Sequence, residues 1–418
     1  MKLKLYVRHY FVLYFFLLMA LYHYKIKDYF YWNYIAHLNN TEFDFSFIRF
    51  VFATIFFFIN LYFLNLINKK RLVFIILSLF FALLTIPSLI AFTSENMYPL
   101  KLMLYHQVLF WTFFLFSKVS LNFNKIPVFN KAQALYFLLL ITTIGIVPYL
   151  LIYGPFINLK NLLLIDVYET RSAMAELSNS YFGYSYSVFT KIIIPLIIIF
   201  SLELKKKVWL LVGIFYLVLF YLFGAHKTVY VGLIVVLAFY KFSYAQSVKF
   251  IIKYSGIGIL LFGLLAMANI DYPWILSFRR IHFLPALLDI CYLDFFQDTP
   301  LYWSESILKR FVAYPYDVPH VNLIGEAYFK QPDMGANNGL ISEGYMNLGT
   351  WGVLINIFLV ATYFAVLNSL RIPSKYVGLF VLVIFSFISS SVFTVFLTHG
   401  ALVLLLTAIF LLNEKNHV

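Results

Sequence analysis

The side chains best suited to chemistry in this chain are concentrated in one polar stretch, residues 269–343. It holds nine of the chain's 18 carboxylates and six of its 13 prolines. Arginines suit a phosphate-bearing ligand, because a guanidinium group is permanently charged and donates paired hydrogen bonds to phosphate oxygens. A carboxylate or histidine can take the proton of a hydroxyl group. The stretch therefore predicts a site for an anionic substrate and an attacking hydroxyl group.

Three side chains are candidates for the base: Glu343, His320 and Glu326. Glu343 is the carboxylate nearest in sequence to an apolar helix, and partial burial would raise its pKa toward the working pH. A carboxylate at a helix start also interacts favourably with the helix dipole, so a purely structural Glu343 stays open. The expected partners of sugar hydroxyls are nearby amides: Asn337, Asn338 and Asn347.

Glycines surround Glu343, in the run GANNGLISEGYMNLGTWGVLI. Glycine permits tight turns and close approach of two backbones. The run leads directly into an apolar helix, so we expect a tightly folded entry to that helix.

Five cations are candidates for binding phosphate groups: Arg279, Arg280, Arg310, Arg171 and Lys227. Arg171 lies in a second, shorter polar segment, residues 154–185, on a run with helical propensity. Apolar residues of that run predict a helix on the membrane interface, which would hold Arg171 at the height of lipid headgroups: Leu163, Val167, Met174 and Leu177. An ion pair of Arg171 with Asp166 or Glu169 is the alternative.

Lys227 opens an apolar segment in the run GAHKTVYVGLI. An anion docked at that helix start would satisfy both the lysine and the free backbone amides. The alternative is a lysine whose ammonium group reaches out to the membrane surface.

The rest of the chain consists of apolar segments that must position these residues. It is 63% hydrophobic and 12% charged, a composition that excludes a soluble protein of this length. Apolar runs of about 17 to 24 residues predict membrane-spanning helices. We expect about twelve, near 5–24, 45–67, 72–93, 98–117, 132–153, 186–203, 207–223, 225–243, 249–268, 344–367, 376–393 and 396–412.

Lysine and arginine in the short connections indicate the orientation of these spans. They fall on one side if the span count is even: Lys2/Lys4/Arg8, Lys69/Lys70/Arg71, Lys118/Lys125/Lys131, Lys205/Lys206/Lys207, Lys241/Lys249 and Arg371/Lys375. Both termini are then cytoplasmic, and segments 154–185 and 269–343 lie outside. The first span lacks a small-residue cleavage site, so we expect a retained helix. We treat residues 1–418 as one integral membrane domain with 269–343 as a structured roof.

Charge and cysteine content narrow the function further. Most of the net charge of +13 is explained by the lysines and arginines expected on the cytoplasmic side of the membrane, and no nucleic-acid motif accompanies it. The single cysteine, Cys291, forms neither an internal disulfide nor a metal cluster. The outer segments show no acidic pair with metal-ligand spacing, so we expect a reaction without metal or cofactor.

Four runs of the long segment together resemble the outer-loop pattern of bacterial O-antigen polymerases: RRIHFLPALLDICYLDFF, LYWSESILKRF, NLIGEAYF and ANNGLISEGYMNLGTWGV. The runs RSAMAE and GAHKTVYVG add weaker support. The resemblance implies a glycosyltransferase of the C-type architecture in the bacterial inner membrane. Its donor would be an undecaprenyl-diphosphate-linked glycan and its acceptor one undecaprenyl-diphosphate-linked repeat unit. A chain-length regulator is a further expected partner.

Two other functions stay open. An O-antigen ligase would use the same donor with the lipid A core as acceptor. A flippase or transporter of the lipid-linked unit would place charge inside its spans and often show two related halves. The ANNGLISEGYMNLG run favours the polymerase, and no related halves are visible.

The charge distribution gives a first testable prediction, a periplasmic 269–343 segment with both termini cytoplasmic. A membrane-impermeant thiol reagent should modify an Asp333→Cys variant from outside and leave a Lys206→Cys variant unmodified until the membrane is opened. The reverse labelling pattern would show that the orientation is inverted.

Overall fold

The computed structural model describes residues 6–27, 45–94, 97–123, 126–163, 165–177 and 179–414. Some residues used above lie outside these ranges: Lys2, Lys4, Lys125, and residues 5, 164 and 178. The described residues are helical and contain no strand; one isolated β-bridge pairs Phe45 with Ser94. The structure is therefore all-α, as the sequence predicted.

Nineteen α-helices are described, several of them extended by turns of the wider π type. They are α1 (Val7–Leu21), α2 (Phe47–Leu66), α3 (Leu72–Phe80), α4 (Ile86–Ala91), α5 (Met97–Phe116), α6 (Lys131–Tyr153), α7 (Val167–Glu176), α8 (Ser180–Val188), α9 (Ile194–Glu203), α10 (Lys207–Gly224), α11 (Lys227–Phe239), α12 (Tyr244–Met267), α13 (Tyr272–Trp274), α14 (Leu284–Phe295), α15 (His320–Phe329), α16 (Leu340–Ser369), α17 (Val377–Ser389), α18 (Val392–Leu397) and α19 (Ala401–Thr407). The π turns are Tyr22–Ile26, Phe81–Thr85, Phe189–Ile193, Ile275–Phe283 and Ala408–Leu412, and short 3₁₀ turns are Gly154–Phe156, Leu159–Leu163 and Ser374–Tyr376.

Seven helices of the described chain are long and apolar enough to cross a membrane, which makes this a helical membrane protein: Phe47–Leu66, Leu72–Ala91, Lys131–Phe156, Ser180–Glu203, Lys207–Gly224, Tyr244–Met267 and Leu340–Ser369. Each falls on a predicted span. Three further predicted spans fall on shorter apolar helices: Lys227–Phe239, Ser374–Ser389 and Ala401–Leu412. The predicted spans 5–24 and 98–117 fall on α1 and α5, which are not among the seven.

The chain expected to form one domain divides into two compact units. The first comprises Met1–Val119, Tyr244–Ala365 and Phe387–Val392. Its central helix is Leu72–Ala91, whose apolar window is completely buried, as expected for a helix that is hydrophobic on every face. Phe81 of this helix packs against Phe11 of α1 and Phe57 of α2, with ring centroids 5.5 and 5.8 Å apart.

The second unit comprises Ser120–Ser243, Val366–Ser386 and Phe393–Val418. Its central helix is α9, which is buried from Ile194 to Ser201 and packs against α6, α10 and α11. Glu203 at the end of α9 forms ion pairs with Lys131 and Lys375 at 2.7 and 3.0 Å. Tyr376 donates a hydrogen bond of 2.8 Å to the same carboxylate. These contacts join three segments at one end of the unit.

Helix α16 is interrupted where the glycine-rich run predicted a tight backbone. Leu348 and Gly349 leave the helical region, and Gly349 has a φ of 56°, which glycine adopts without a steric cost. The turns before and after this break touch through Gly344 and Gly352, because a Cβ added to Gly344 would lie 2.6 Å from the Gly352 carbonyl oxygen. Neither position has room for a side chain.

This close approach predicts that Gly352→Ala destabilises the first unit. The new methyl group meets the rigid backbone carbonyl of Gly344, and overpacking of this kind costs about 1–3 kcal/mol. The midpoint of thermal unfolding in detergent should fall. Gly256→Ala, in α12 with no atom near the added Cβ, is the matched control and should leave the midpoint unchanged or slightly raised. Equal midpoints for the two variants would contradict the packing argument.

Candidate functional site

Glu343 lies in the first turn of α16 with 3% of its surface exposed. Its carboxylate accepts hydrogen bonds from the backbone N–H of Val392 and from Asn356 Nδ2, the latter at 3.2 Å. The side chain therefore connects the start of α16 to the start of α18. These contacts give Glu343 a structural task within the first unit, and its role as a base stays a prediction.

Asn338 is buried in a polar cluster, and its expected role in binding a sugar hydroxyl stays a prediction. Its Nδ2 donates to Asp289 Oδ1 at 2.9 Å and to Ser342 Oγ at 2.7 Å. Burial raises the pKa of Asp289 to about 7, against the opposing effect of hydrogen bonds from Ser342. The cluster ties α14 to the start of α16, so Asn338 serves packing between helices.

Asn347 also uses its side chain in hydrogen bonds that hold the fold together. Its Oδ1 accepts from the backbone N–H of Trp303 at 2.6 Å, and its Nδ2 donates to the carbonyl of Glu343 at 2.8 Å. It holds the loop at Trp303, a residue with a φ of 56°, against the break in α16. Of the three predicted amides, Asn337 alone has an exposed side chain.

His320 begins α15 and is paired with a carboxylate that the sequence did not single out. Its Nδ1 and its backbone N–H both contact Glu305 Oε2, the backbone contact measuring 3.2 Å. Burial opposes ionisation of Glu305, but the hydrogen bonds and charge of His320 outweigh it and hold the pKa of Glu305 below its usual range. The His320 ring is thus oriented as in a carboxylate–histidine pair, whereas Glu326, on the same helix, is exposed.

The three arginines of the long segment belong to the first unit. Arg279 and Arg280 lie on the π-helical turns Ile275–Phe283, where Arg279 is half-buried and Arg280 is exposed. Arg310 is exposed on the irregular chain between α14 and α15. Arg171 and Lys227 belong to the second unit.

Helix α7 fixes Arg171 in the second unit. The helix packs with Val167 and Met174 buried, although both were expected to face the membrane interface. Arg171 does not form the alternative ion pair with Asp166 or Glu169. Asp166 lies 3.7 Å from Lys160, and Glu169 is exposed. The Arg171 guanidinium instead donates from Nε and Nη2 to the Ala225 carbonyl, at 3.2 and 3.0 Å. Two of its five N–H groups are thereby used, and three remain for a ligand.

A cavity of about 510 Å³ lies beside Arg171, entirely within the second unit. It is lined by cationic, imidazole, aromatic and small side chains and by no carboxylate: Tyr149, Tyr153, Arg171, Met174, Ala175, Phe182, Gly183, Tyr186, Ser187, Phe223, Gly224, His226 and His399. Ala225, with a φ of 48°, ends α10 and turns the chain so that its carbonyl meets Arg171 and His226 follows at the cavity wall.

Two cations of the described chain act on this cavity, Arg171 at its wall and Lys191 close by. Lys191 lies nearby on Ser180–Glu203 and donates from Nζ to Ser386 Oγ at 2.8 Å. Burial, followed by the charge of Lys191, lowers the pKa of His399 to about 4. Burial, followed by the charges of Arg171 and Lys191, also lowers the pKa of His226, part of which remains exposed. At neutral pH the cavity thus holds neutral imidazoles beside Arg171, with the ammonium group of Lys191 close by.

Lys227 follows His226 in sequence but is not among the residues that line this cavity. It is the first residue of α11 and is exposed. Arg171 and Lys227 were both predicted to bind phosphate groups. In the structure Arg171 lines the cavity, whereas Lys227 lies on the surface.

Sequence reasoning missed Lys191 and His399 as candidates. A signal for Lys191 was present, since a lone charged residue inside an apolar span marks a functional position by default. His399 had no such signal, because it is separated from Arg171 by more than 200 residues of sequence.

Comparison with family models, with curated proteins and with solved structures found no match.

The geometry predicts that Arg171 binds an anion in the cavity. The probe is inorganic pyrophosphate, and binding is measured by calorimetry on purified protein in detergent. Arg171→Ala should weaken binding about 10- to 100-fold, the effect of losing a charge-assisted hydrogen bond. Arg171→Lys should recover only part of the affinity, because lysine cannot reproduce the bidentate fork. Lys160→Ala, an exposed cation of the same unit, is the control. Equal affinity in all variants would exclude anion binding at Arg171.

Proposed function

We propose that this chain is a membrane glycosyltransferase that polymerises undecaprenyl-diphosphate-linked oligosaccharide repeat units into O-antigen or a related surface polysaccharide. The observation that carries the proposal is the cavity of the second unit, where Arg171 has unused donors, Lys191 adds charge and no carboxylate competes. A diphosphate leaving group gains negative charge as its bond to the sugar breaks. Fixed cations stabilise that charge without reorganisation at the moment of reaction.

The composition of the cavity wall suits a glycan as well as a diphosphate. Tyr149, Tyr153 and Tyr186 supply aromatic rings next to Arg171. Aromatic faces pack against the apolar faces of sugars. The hydroxyl groups of Tyr149 and Tyr186 are already hydrogen-bonded, to Ser185 Oγ and to the Phe220 carbonyl. In the first unit, the exposed Arg280, Arg310 and Asn337 are proposed contacts for the phosphate and sugar groups of the substrates.

The proposal includes the arrangement expected from the sequence resemblance. The C-type glycosyltransferase architecture would have about twelve spans in the bacterial inner membrane, counting the shorter apolar helices, with both termini cytoplasmic. Segments 154–185 and 269–343 would face the periplasm, where lipid-linked repeat units are joined. A chain-length regulator would act as partner.

A deletion strain separates the candidate functions by its lipopolysaccharide profile. Polymerase loss should remove the polymer ladder and leave one repeat unit on the core. Complete loss of O-antigen would indicate the ligase or flippase alternative, and an unchanged ladder would refute all three. Complementation with the wild-type chain should restore the ladder, and Arg171→Ala should fail to restore it at equal protein level.

A further inference from the structure

A tight backbone turn holds His399 at the cavity wall. It lies between α18 and α19, where the N–H groups of Thr398 and His399 both donate to the Thr394 carbonyl at 2.8 and 3.0 Å. Gly400 follows with a φ of 89°, a conformation that side chains disfavour. A Cβ on Gly400 would also lie 2.9 Å from Ile192 Cγ1. The fold therefore fixes the position of the histidine tightly.

The imidazole of His399 has no structural partner. Its Nδ1 is buried without a hydrogen bond, and no hydrogen bond to the ring is formed within the described residues. Buried polar groups are nearly always paired, and an exception needs a reason. His282 contacts Tyr14 through Nε2, although its Nδ1 is also unbonded, and His320 contacts Glu305 through Nδ1. His106 is unpaired as well, but it is fully buried in the first unit and does not line the cavity beside Arg171.

The surroundings of this imidazole keep it neutral at pH 7, which is the form that can accept a proton. The titratable groups around the cavity are Arg171, Lys191 and His226, together with three tyrosines, and no carboxylate lines it. Burial and the charge of Lys191 disfavour the imidazolium and lower the pKa of His399 to about 4. The basic form of His399 is therefore present throughout the neutral range and is lost as the pH falls toward that value.

We infer that His399 is the catalytic base that removes the proton of the acceptor sugar hydroxyl, which rests on the proposed polymerase function. The hydroxyl proton moves to Nε2 of the imidazole, the ring nitrogen that is not buried, and the oxygen electron pair forms the new bond to the anomeric carbon of the donor. The bond between that carbon and the diphosphate oxygen breaks, and its electron pair leaves with the polyprenyl diphosphate. Arg171 and Lys191 stabilise the departing charge. The imidazolium then releases its proton to the leaving diphosphate or to water.

The assignment places base and leaving-group contacts in one cavity of one unit. Glu343, by contrast, uses its carboxylate to hold Val392 and Asn356, and His320 uses Nδ1 to hold Glu305. His226 shares the cavity wall but is exposed, whereas His399 is half-buried and its Nδ1 is buried without a hydrogen bond.

The test measures polymerisation by purified protein acting on lipid-linked repeat units extracted from the deletion strain. His399→Gln should lower kcat/KM about 100- to 10,000-fold, the usual cost of losing a general base. It should leave pyrophosphate binding intact, because a neutral imidazole adds no charge. The wild-type kcat/KM should be level at neutral pH and fall as pH approaches about 4. His9→Gln, an exposed histidine of the first unit, is the control and should retain full activity.

The outcomes separate the inference from the function on which it rests. A wild-type protein that binds pyrophosphate but never extends the units refutes the polymerase function itself. A wild-type protein that polymerises, with His399→Gln within about twofold of it, overturns the base assignment alone. If His399→Gln does not fold, the wild-type pH profile decides: activity that stays level well below pH 4, or falls well above it, overturns the assignment. If Glu343→Gln or His320→Gln loses activity while keeping the wild-type unfolding midpoint, and His399→Gln keeps its activity, the base role belongs to that residue.

Discussion

The constraint on which this structure depends is the cost of placing charge inside an apolar protein. A buried ion needs a counter-charge or a close set of hydrogen bonds. Around Glu203 the second unit meets this requirement directly, with Lys131, Lys375 and Tyr376 on one carboxylate. The cavity of the same unit meets it only in part. Arg171 is held by one carbonyl and Lys191 by one hydroxyl, and neither has a carboxylate. In the proposed function, an anionic ligand would supply this counter-charge.

In the first unit the buried charged groups are carboxylates that accept several hydrogen bonds. Asp289 accepts from Asn338 and Ser342, and Glu343 accepts from Val392 and Asn356. Both clusters lie where helices begin or break, and both connect segments distant in sequence. A polar group that is fully satisfied in this way rigidifies the entry to α16. The buried clusters of Asp289 and Glu343 thus hold the fold of the first unit together, whereas at the cavity Arg171 keeps three N–H groups and His399 its Nδ1 without a protein partner in the described chain.

Composition and periodicity were sufficient for the class of fold. Runs rich in leucine, isoleucine and phenylalanine predict apolar helices, and seven of them are long enough to cross a membrane. The glycine run also predicted close backbone approach at the entry to α16, and the contact of Gly344 with Gly352 is of that kind. Long-range polar partners were not predictable in this way. No residue near Asn338 in the sequence indicates that its partner is Asp289, 49 residues earlier. The pairing of His320 with Glu305, 15 residues earlier, has no local signal either.

The cavity shows why sequence reasoning found one of its residues and not the others. Arg171 stands in a polar segment and is conspicuous, whereas Lys191 and His399 sit in or beside apolar helices. They meet because α8, α9 and the turn at Gly400 pack within one unit, with Ile192 against Gly400. That packing also explains the low pKa of His399, since the burial that excludes water is the burial that disfavours a charged imidazole. A single arrangement of helices therefore brings a cation and a neutral imidazole to one cavity, and in the proposed glycosyl transfer the cation would hold the diphosphate and the imidazole would receive the proton.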